Sequence, residues 1–132
     1  GLEYFGLGTG AAVADIDNDG ILELLVAHGE SGMQPLSLYK ADIKEKFNYI
    51  RIQPLNKFGA PARGATVTLI SNLRKHSKTI DAGSGYLCQM EPVAHFGLRK
   101  GEKIRSVVIQ WTNGQKKSLK ISKINKTIKV KQ

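Results

Sequence analysis

With 132 residues, a hydrophobic fraction of 41% and a formal net charge of +9, the chain can form one domain, or one domain and a fragment, around an ordered core. No apolar run approaches the roughly 20 residues of a membrane-spanning helix, and a single cysteine, Cys88, excludes a disulfide scaffold within the chain. The charge is lopsided: residues 1–98 carry nine Lys/Arg and ten Asp/Glu, whereas residues 99–132 carry eleven Lys/Arg and one acid, Glu102.

Taken in order, the sequence opens without a basic n-region or an apolar h-region, so any secretion signal is expected upstream of Gly1. Short or alternating apolar runs then dominate, bounded by Gly, Asn, Asp and Pro. They predict strands at Ala11–Ala14, Ile21–Ala27, Leu36–Tyr39, Tyr49–Gln53, Ala65–Ser71, Lys78–Asp81, Tyr86–Met90, Ser106–Trp111, Lys117–Ile121 and Thr127–Lys131. Thr66–Ile70 and Val107–Trp111 carry the strongest signal, being β-branched and partly alternating. Asn113-Gly114 predicts a two-residue hairpin turn. One helical turn is expected, at Ala41–Lys46. It marks a boundary, with residues 1–46 as one unit and 47–132 as another. The fold class is all-β: a hairpin with an acidic loop, followed by an antiparallel β-sandwich-like domain.

The acidic loop is Asp15-Ile16-Asp17-Asn18-Asp19-Gly20-Ile21-Leu22-Glu23. Calcium is a hard cation that takes six to eight oxygens at about 2.3–2.6 Å. Carboxylates at alternate positions of a tight loop turn inward together, and a glycine at the sixth position permits the bend. The expected ligands are therefore Asp15, Asp17, Asp19, the carbonyl of Ile21, and Glu23. Carboxylates this close repel one another unless a cation or water screens them. The loop is not an EF-hand, because Val26 occupies the twelfth position, where that motif needs glutamate. Magnesium suits it less, since that ion keeps its waters and demands octahedral geometry.

From Gly8 to Gly20 the sequence resembles an FG-GAP repeat, the calcium-loop unit of integrin-type β-propellers, which implies that the hairpin is a partial β-propeller blade. That pattern has aspartate at the ninth loop position. Glu23 here is one methylene longer, which bears on how tightly the ion is held. Three further pieces resemble the ASPIC and UnbV domain: Arg63–Leu69, Gly83–Leu98, and Val107–Trp111 with Asn113-Gly114. With His28–Ser31 and the acidic loop, these run in the order found in the cartilage acidic protein family. Two turns depart from that pattern: Thr112 stands where the family has proline, and Arg99 where it has glycine. The resemblance implies a secreted or matrix-associated protein with a propeller before this segment, extracellular protein or matrix partners, and binding without catalysis.

Other motifs are weaker. Gly6–Ala11 fits a dinucleotide-binding string, but an acidic turn follows where a helix is required. Asp81, Ser84 and His95 could make a triad only by geometry, and a glycine-permitted bend before Tyr86 explains Gly83-Ser84-Gly85. Asn125-Lys126-Thr127 is a glycosylation sequon. Lysines of the basic region alternate with Leu119, Ile121, Ile128 and Val130, as two antiparallel strands with lysines outward would require. Lys116, Lys117, Lys120 and Lys123 are the candidates for binding a polyanion such as a sulfated glycan. Scarce arginine and the lack of interleaved aromatics disfavour nucleic acid.

Overall fold

The computed structural model describes residues 8–29, 34–43, 45, 47–86 and 88–132. Among them are ten strands and no helix. They divide into two compact units: Gly1–Lys44 with Gly83–Glu91, and Glu45–Ala82 with Pro92–Gln132. The helical turn expected at Ala41–Lys46 is absent from its described residues. Ile43 N–H instead bonds back to the Ala41 carbonyl at 3.0 Å, and six residues are too few to offset the cost of nucleating a helix. Lys44 and Lys46 lie outside the described residues.

The first unit holds β1 (Gly8–Ala14), β2 (Glu23–His28) and β3 (Ser37–Tyr39), an antiparallel sheet in that order. Gly83–Glu91, which the sequence keeps with the second domain, packs in this unit. It was expected to contain a strand at Tyr86–Met90. Tyr86 instead lies in a turn, Cys88–Met90 are irregular, and Leu87 falls outside the described residues. Its sulfur atoms make the contacts. Met90 Sδ accepts the Val13 N–H at 3.2 Å, and Cys88 lies over Gly10. A Cβ at Gly10 would stand 2.5 Å from Cys88 Sγ and 2.8 Å from the Tyr86 carbonyl oxygen. Gly10 therefore serves close approach and not a turn.

The second unit is a sandwich. β4 (Asn48–Leu55), β7 (Ala94–Leu98) and β10 (Thr127–Lys131) form one sheet in the order β10-β4-β7. β5 (Thr66–Ser71), β6 (Lys75–Thr79), β8 (Ile104–Gln110) and β9 (Lys116–Leu119) form the other, β6-β5-β8-β9. Period-two alternation aims Ile50, Ile52, Ala94, Phe96, Leu98 and Val130 from the first sheet at Val67, Leu69, Val107 and Ile109 of the second, with Trp111 at the margin. Each large apolar side chain buried there contributes roughly 1.5–3 kcal/mol. Trp111 satisfies its indole N–H on the Leu55 carbonyl at 3.0 Å.

Three details differ from the sequence reading. β9 and β10 do not pair. β9 pairs with β8, while β10 runs parallel to β4 in the opposite sheet. Their apolar residues still point inward, so the alternation held while the partner was wrong. Next, the hairpin at Asn113-Gly114 has a three-residue loop. Gly114 N–H bonds to the Trp111 carbonyl and Trp111 N–H to the Gln115 carbonyl, both at 2.9 Å, with Gly114 at φ 85°. That is a turn followed by a glycine bulge. Finally, β6 begins at Lys75, three residues before the expected start, and the His95–Leu98 motif forms strand β7. On edge strand β6, His76 and Lys78 pair with inward-facing Leu69 and Val67 and both approach the Phe96 ring. Burial lowers the Lys78 pKa from its ordinary value. An inward lysine on an edge strand discourages a second molecule from pairing there.

Glu102, the only acid after residue 98, closes one end of this sandwich. Its carboxylate is buried and accepts hydrogen bonds from Ser71 Oγ (2.8 Å), Arg74 Nε (2.9 Å) and Arg99 N–H (2.9 Å). Arg74 in turn donates to the Gly97 carbonyl at 2.7 Å. Desolvation pushes the carboxyl pKa up, but the Arg74, Arg99 and Ser71 hydrogen bonds outweigh it and hold the value down to about 2.

Two outcomes follow. Glu102→Gln should cost about 2–3 kcal/mol in urea unfolding at neutral pH. Because the folded pKa lies below the ordinary 4.5, the wild-type advantage is full above pH 4.5 and should shrink as pH falls toward 2. A gap that stays constant over that range contradicts the assignment. Gly10→Ala should cost about 1–3 kcal/mol by overpacking and raise the rate at which a thiol reagent modifies Cys88. An unchanged rate contradicts the close approach.

Candidate metal centre

The acidic loop closes the β1–β2 hairpin. Register places Ala14 opposite Glu23, so the first and last acids of the loop, Asp15 and Glu23, meet at its neck. Both are 4% exposed. Asn18 at φ 61° and Gly20 at φ 89° supply the left-handed steps that reverse the chain. Asparagine tolerates that conformation, and glycine adopts it without steric cost.

Each carboxylate commits one oxygen to a loop amide. Asp15 Oδ2 accepts Gly20 N–H (3.2 Å), Asp17 Oδ1 accepts Asp19 N–H (3.2 Å), Asp19 Oδ1 accepts Ile21 N–H (2.8 Å), and Glu23 Oε2 accepts Ile16 N–H (2.8 Å). These bonds fix the side chains by short local links. Ligand oxygens of Asp15, Asp17 and Asp19 lie within 4.8 Å of one another. Two oxygens on opposite sides of one calcium ion, at about 2.4 Å each, would stand about that far apart. Glu23 Oε1 is buried and has no hydrogen-bond partner among the described residues. Leaving a buried carboxylate oxygen unbonded costs on the order of 1–3 kcal/mol, so this donor set fits a cation. Ile21 takes part through its N–H. Of the expected ligands, Asp15, Asp17 and Asp19 are brought together, whereas Glu23, buried at the end of the loop, is not within that set.

The sequence reading missed Lys40. Strand register pairs Leu24 with Tyr39, so Lys40, the next residue along the antiparallel strand, falls abreast of Glu23. Its ammonium binds Asp17 Oδ2, lies 2.9 Å from Asp19 Oδ2, and stands 3.9 Å from Glu23 Oε1. Lys40 is separated from the loop by a whole strand, and no spacing rule within the loop points to it. The Ile21 N–H, then the Lys40 ammonium, lower the Asp19 pKa from its ordinary value. Hydrogen bonds to Asp17 and then Asp19 raise the Lys40 pKa.

The other candidates lie apart. Lys116 and Lys117 are on β9, whereas Lys120 and Lys123 are in the β9–β10 connection, and all four are exposed. The Asn125 side chain is used structurally. Its Oδ1 accepts Tyr49 N–H and its Nδ2 donates to Asn48 Oδ1, both at 2.9 Å, with the residue at φ 58°. His95 stacks on Tyr49, ring centroids 5.7 Å apart. Of the His28–Ser31 stretch, Glu30 and Ser31 lie outside the described residues.

Residues 56–132 match the ASPIC and UnbV family model. Cartilage acidic protein 1 of Xenopus tropicalis is 52% identical over 111 residues, covering 83% of this chain and 17% of that protein. The human protein of the same name is 50% identical over 115 residues, covering 86% of this chain and 17% of its own length. The mouse protein is 49% identical, covering 86% and 18%. The chain thus spans less than a fifth of these curated relatives.

A carboxyl carbon NMR titration should place the Asp19 midpoint below its ordinary 3.8. The Lys40 pairing should therefore hold through mild acid and fade as pH falls through that lowered midpoint. A midpoint at or above 3.8 contradicts the geometry.

Proposed function

The chain belongs to the ASPIC and UnbV family, and from that premise we propose that it is a calcium-binding module of a secreted or matrix-associated protein, acting outside the cell in protein binding or adhesion and without catalysis. One observation carries the metal reading. Glu23 Oε1 is buried without a hydrogen bond at the neck of a loop whose three aspartates already converge. Calcium is favoured over magnesium because this all-oxygen set sits on a bendable loop and includes carboxylates able to bind through one or both oxygens. Asp15, Asp17, Asp19, Glu23 and the Ile21 carbonyl would hold the ion, which supplies positive charge and fixes the hairpin. On this reading the first unit is part of an FG-GAP-type propeller blade. Glycosylation at Asn125 belongs to the same extracellular reading, and it requires Nδ2 to release Asn48 Oδ1.

A second reading is supported by the exposed lysines. Lys116, Lys117, Lys120 and Lys123 form no ion pair among the described residues and could bind a sulfated glycan. Lys116 and Lys117 lie on β9 and Lys120 and Lys123 in the connection that follows it.

Calcium at a hundred times its dissociation constant should stabilise the chain by about 2.7 kcal/mol. Melting temperature should therefore rise with calcium and fall with EDTA. Asp17→Asn should remove most of that response while leaving the Trp111 environment unchanged. A melt indifferent to calcium overturns the metal reading. Heparin retention that survives replacement of Lys116, Lys117 and Lys120 by glutamine would count against the glycan reading.

A further inference from the structure

We infer that the Lys40 ammonium is the resident counter-ion of the acidic loop, and that calcium enters the site only by displacing it. This rests on the calcium reading above and adds how the site is controlled.

Four carboxylates, Asp15, Asp17, Asp19 and Glu23, belong to one loop, and the Lys40 ammonium faces three of them, Asp17, Asp19 and Glu23. An ammonium has three donors and a single charge. Lys40 spends donors on Asp17 Oδ2 and Asp19 Oδ2, then stops 3.9 Å short of Glu23 Oε1, outside hydrogen-bond range. Of the three acids that face it, Glu23 is the one the ammonium serves worst, and it is also the most deeply buried. A divalent ion needs more oxygens than an ammonium can engage and would gain Glu23.

Position makes exchange feasible. Lys40 follows the last residue of β3, and its side chain is 48% exposed. It can leave by rotating its own flexible stem into water, with no strand moving. The oxygens it holds on Asp17 and Asp19 are those not committed to loop amides. They are the oxygens an ion would take. Ammonium and metal therefore compete for the same atoms, and the lysine weakens calcium binding while keeping the metal-free hairpin from repelling itself apart.

Two measurements on the full chain test this. Calorimetric calcium titration compares wild type with Lys40→Met and Lys40→Gln. Acetic anhydride labelling of the wild type, read at Lys40 by peptide mass with the other lysines as controls, is run with and without calcium. Competition predicts that both variants bind calcium about tenfold tighter or more, and that Lys40 labels faster once calcium is bound. If the wild type binds calcium and neither variant binds tighter, the competition is overturned while the calcium reading stands. If the variants gain affinity but calcium leaves Lys40 labelling unchanged, Lys40 acts by remote charge and the displacement is overturned. If no form binds calcium, the calcium reading fails and takes this inference with it.

Discussion

Carboxylates forced together at the neck of a hairpin govern the first unit. Strand register sets Ala14 opposite Glu23, so Asp15 and Glu23 flank the neck of the hairpin, and both are buried there. Burying an uncompensated carboxylate is far costlier than burying any neutral group, so the hairpin requires positive charge nearby. Loop amides satisfy one oxygen of each acid. Lys40, which β3 delivers by pairing in register with β2, adds an ammonium against Asp17 and Asp19. The third strand is short, Ser37–Tyr39, yet it places the cation. Sheet pairing and loop electrostatics are thus one construction.

The second unit rests on a different force. Its two sheets meet through apolar side chains at alternate positions, and its one buried acid is compensated by arginine, a hydroxyl and a backbone amide. Glu102 and the acidic loop solve the same problem in opposite ways. Glu102 has its partners built in and holds its pKa near 2, so it closes a rigid end. Glu23 keeps an oxygen that no described residue bonds, so its site can accept an ion. A satisfied buried carboxylate stabilises; an unsatisfied one recruits.

Much of this was legible in the sequence because it is local. Composition and partial alternation marked Tyr49–Gln53, Thr66–Ile70 and Val107–Trp111 as strands, and Ile50, Ile52, Val67, Leu69, Val107 and Ile109 of those strands form the core. Three aspartates at every second position, followed by glycine, marked the loop. What escaped depends on pairing between distant segments. β10 joins β4 in parallel, because Arg51 N–H bonds to the Lys126 carbonyl and Asn125 clips onto Tyr49. The alternation in Thr127–Lys131 fixes only which side faces inward and leaves the neighbour open. Tyr86–Met90 has strand-like composition, yet its contacts to β1 run through Met90 and Cys88 sulfur atoms and a bare glycine, which no propensity encodes. Lys40 was invisible for the same reason, since only β2–β3 register brings it to the loop.

The account stands or falls on whether the acidic loop holds an ion. Long-wavelength diffraction from crystals grown with calcium reads this directly. The account predicts an anomalous peak about 2.3–2.6 Å from oxygens of Asp15, Asp17, Asp19 and Glu23, with the Lys40 ammonium turned away. No peak at saturating calcium, with Lys40 still bound to Asp17 and Asp19, would contradict it.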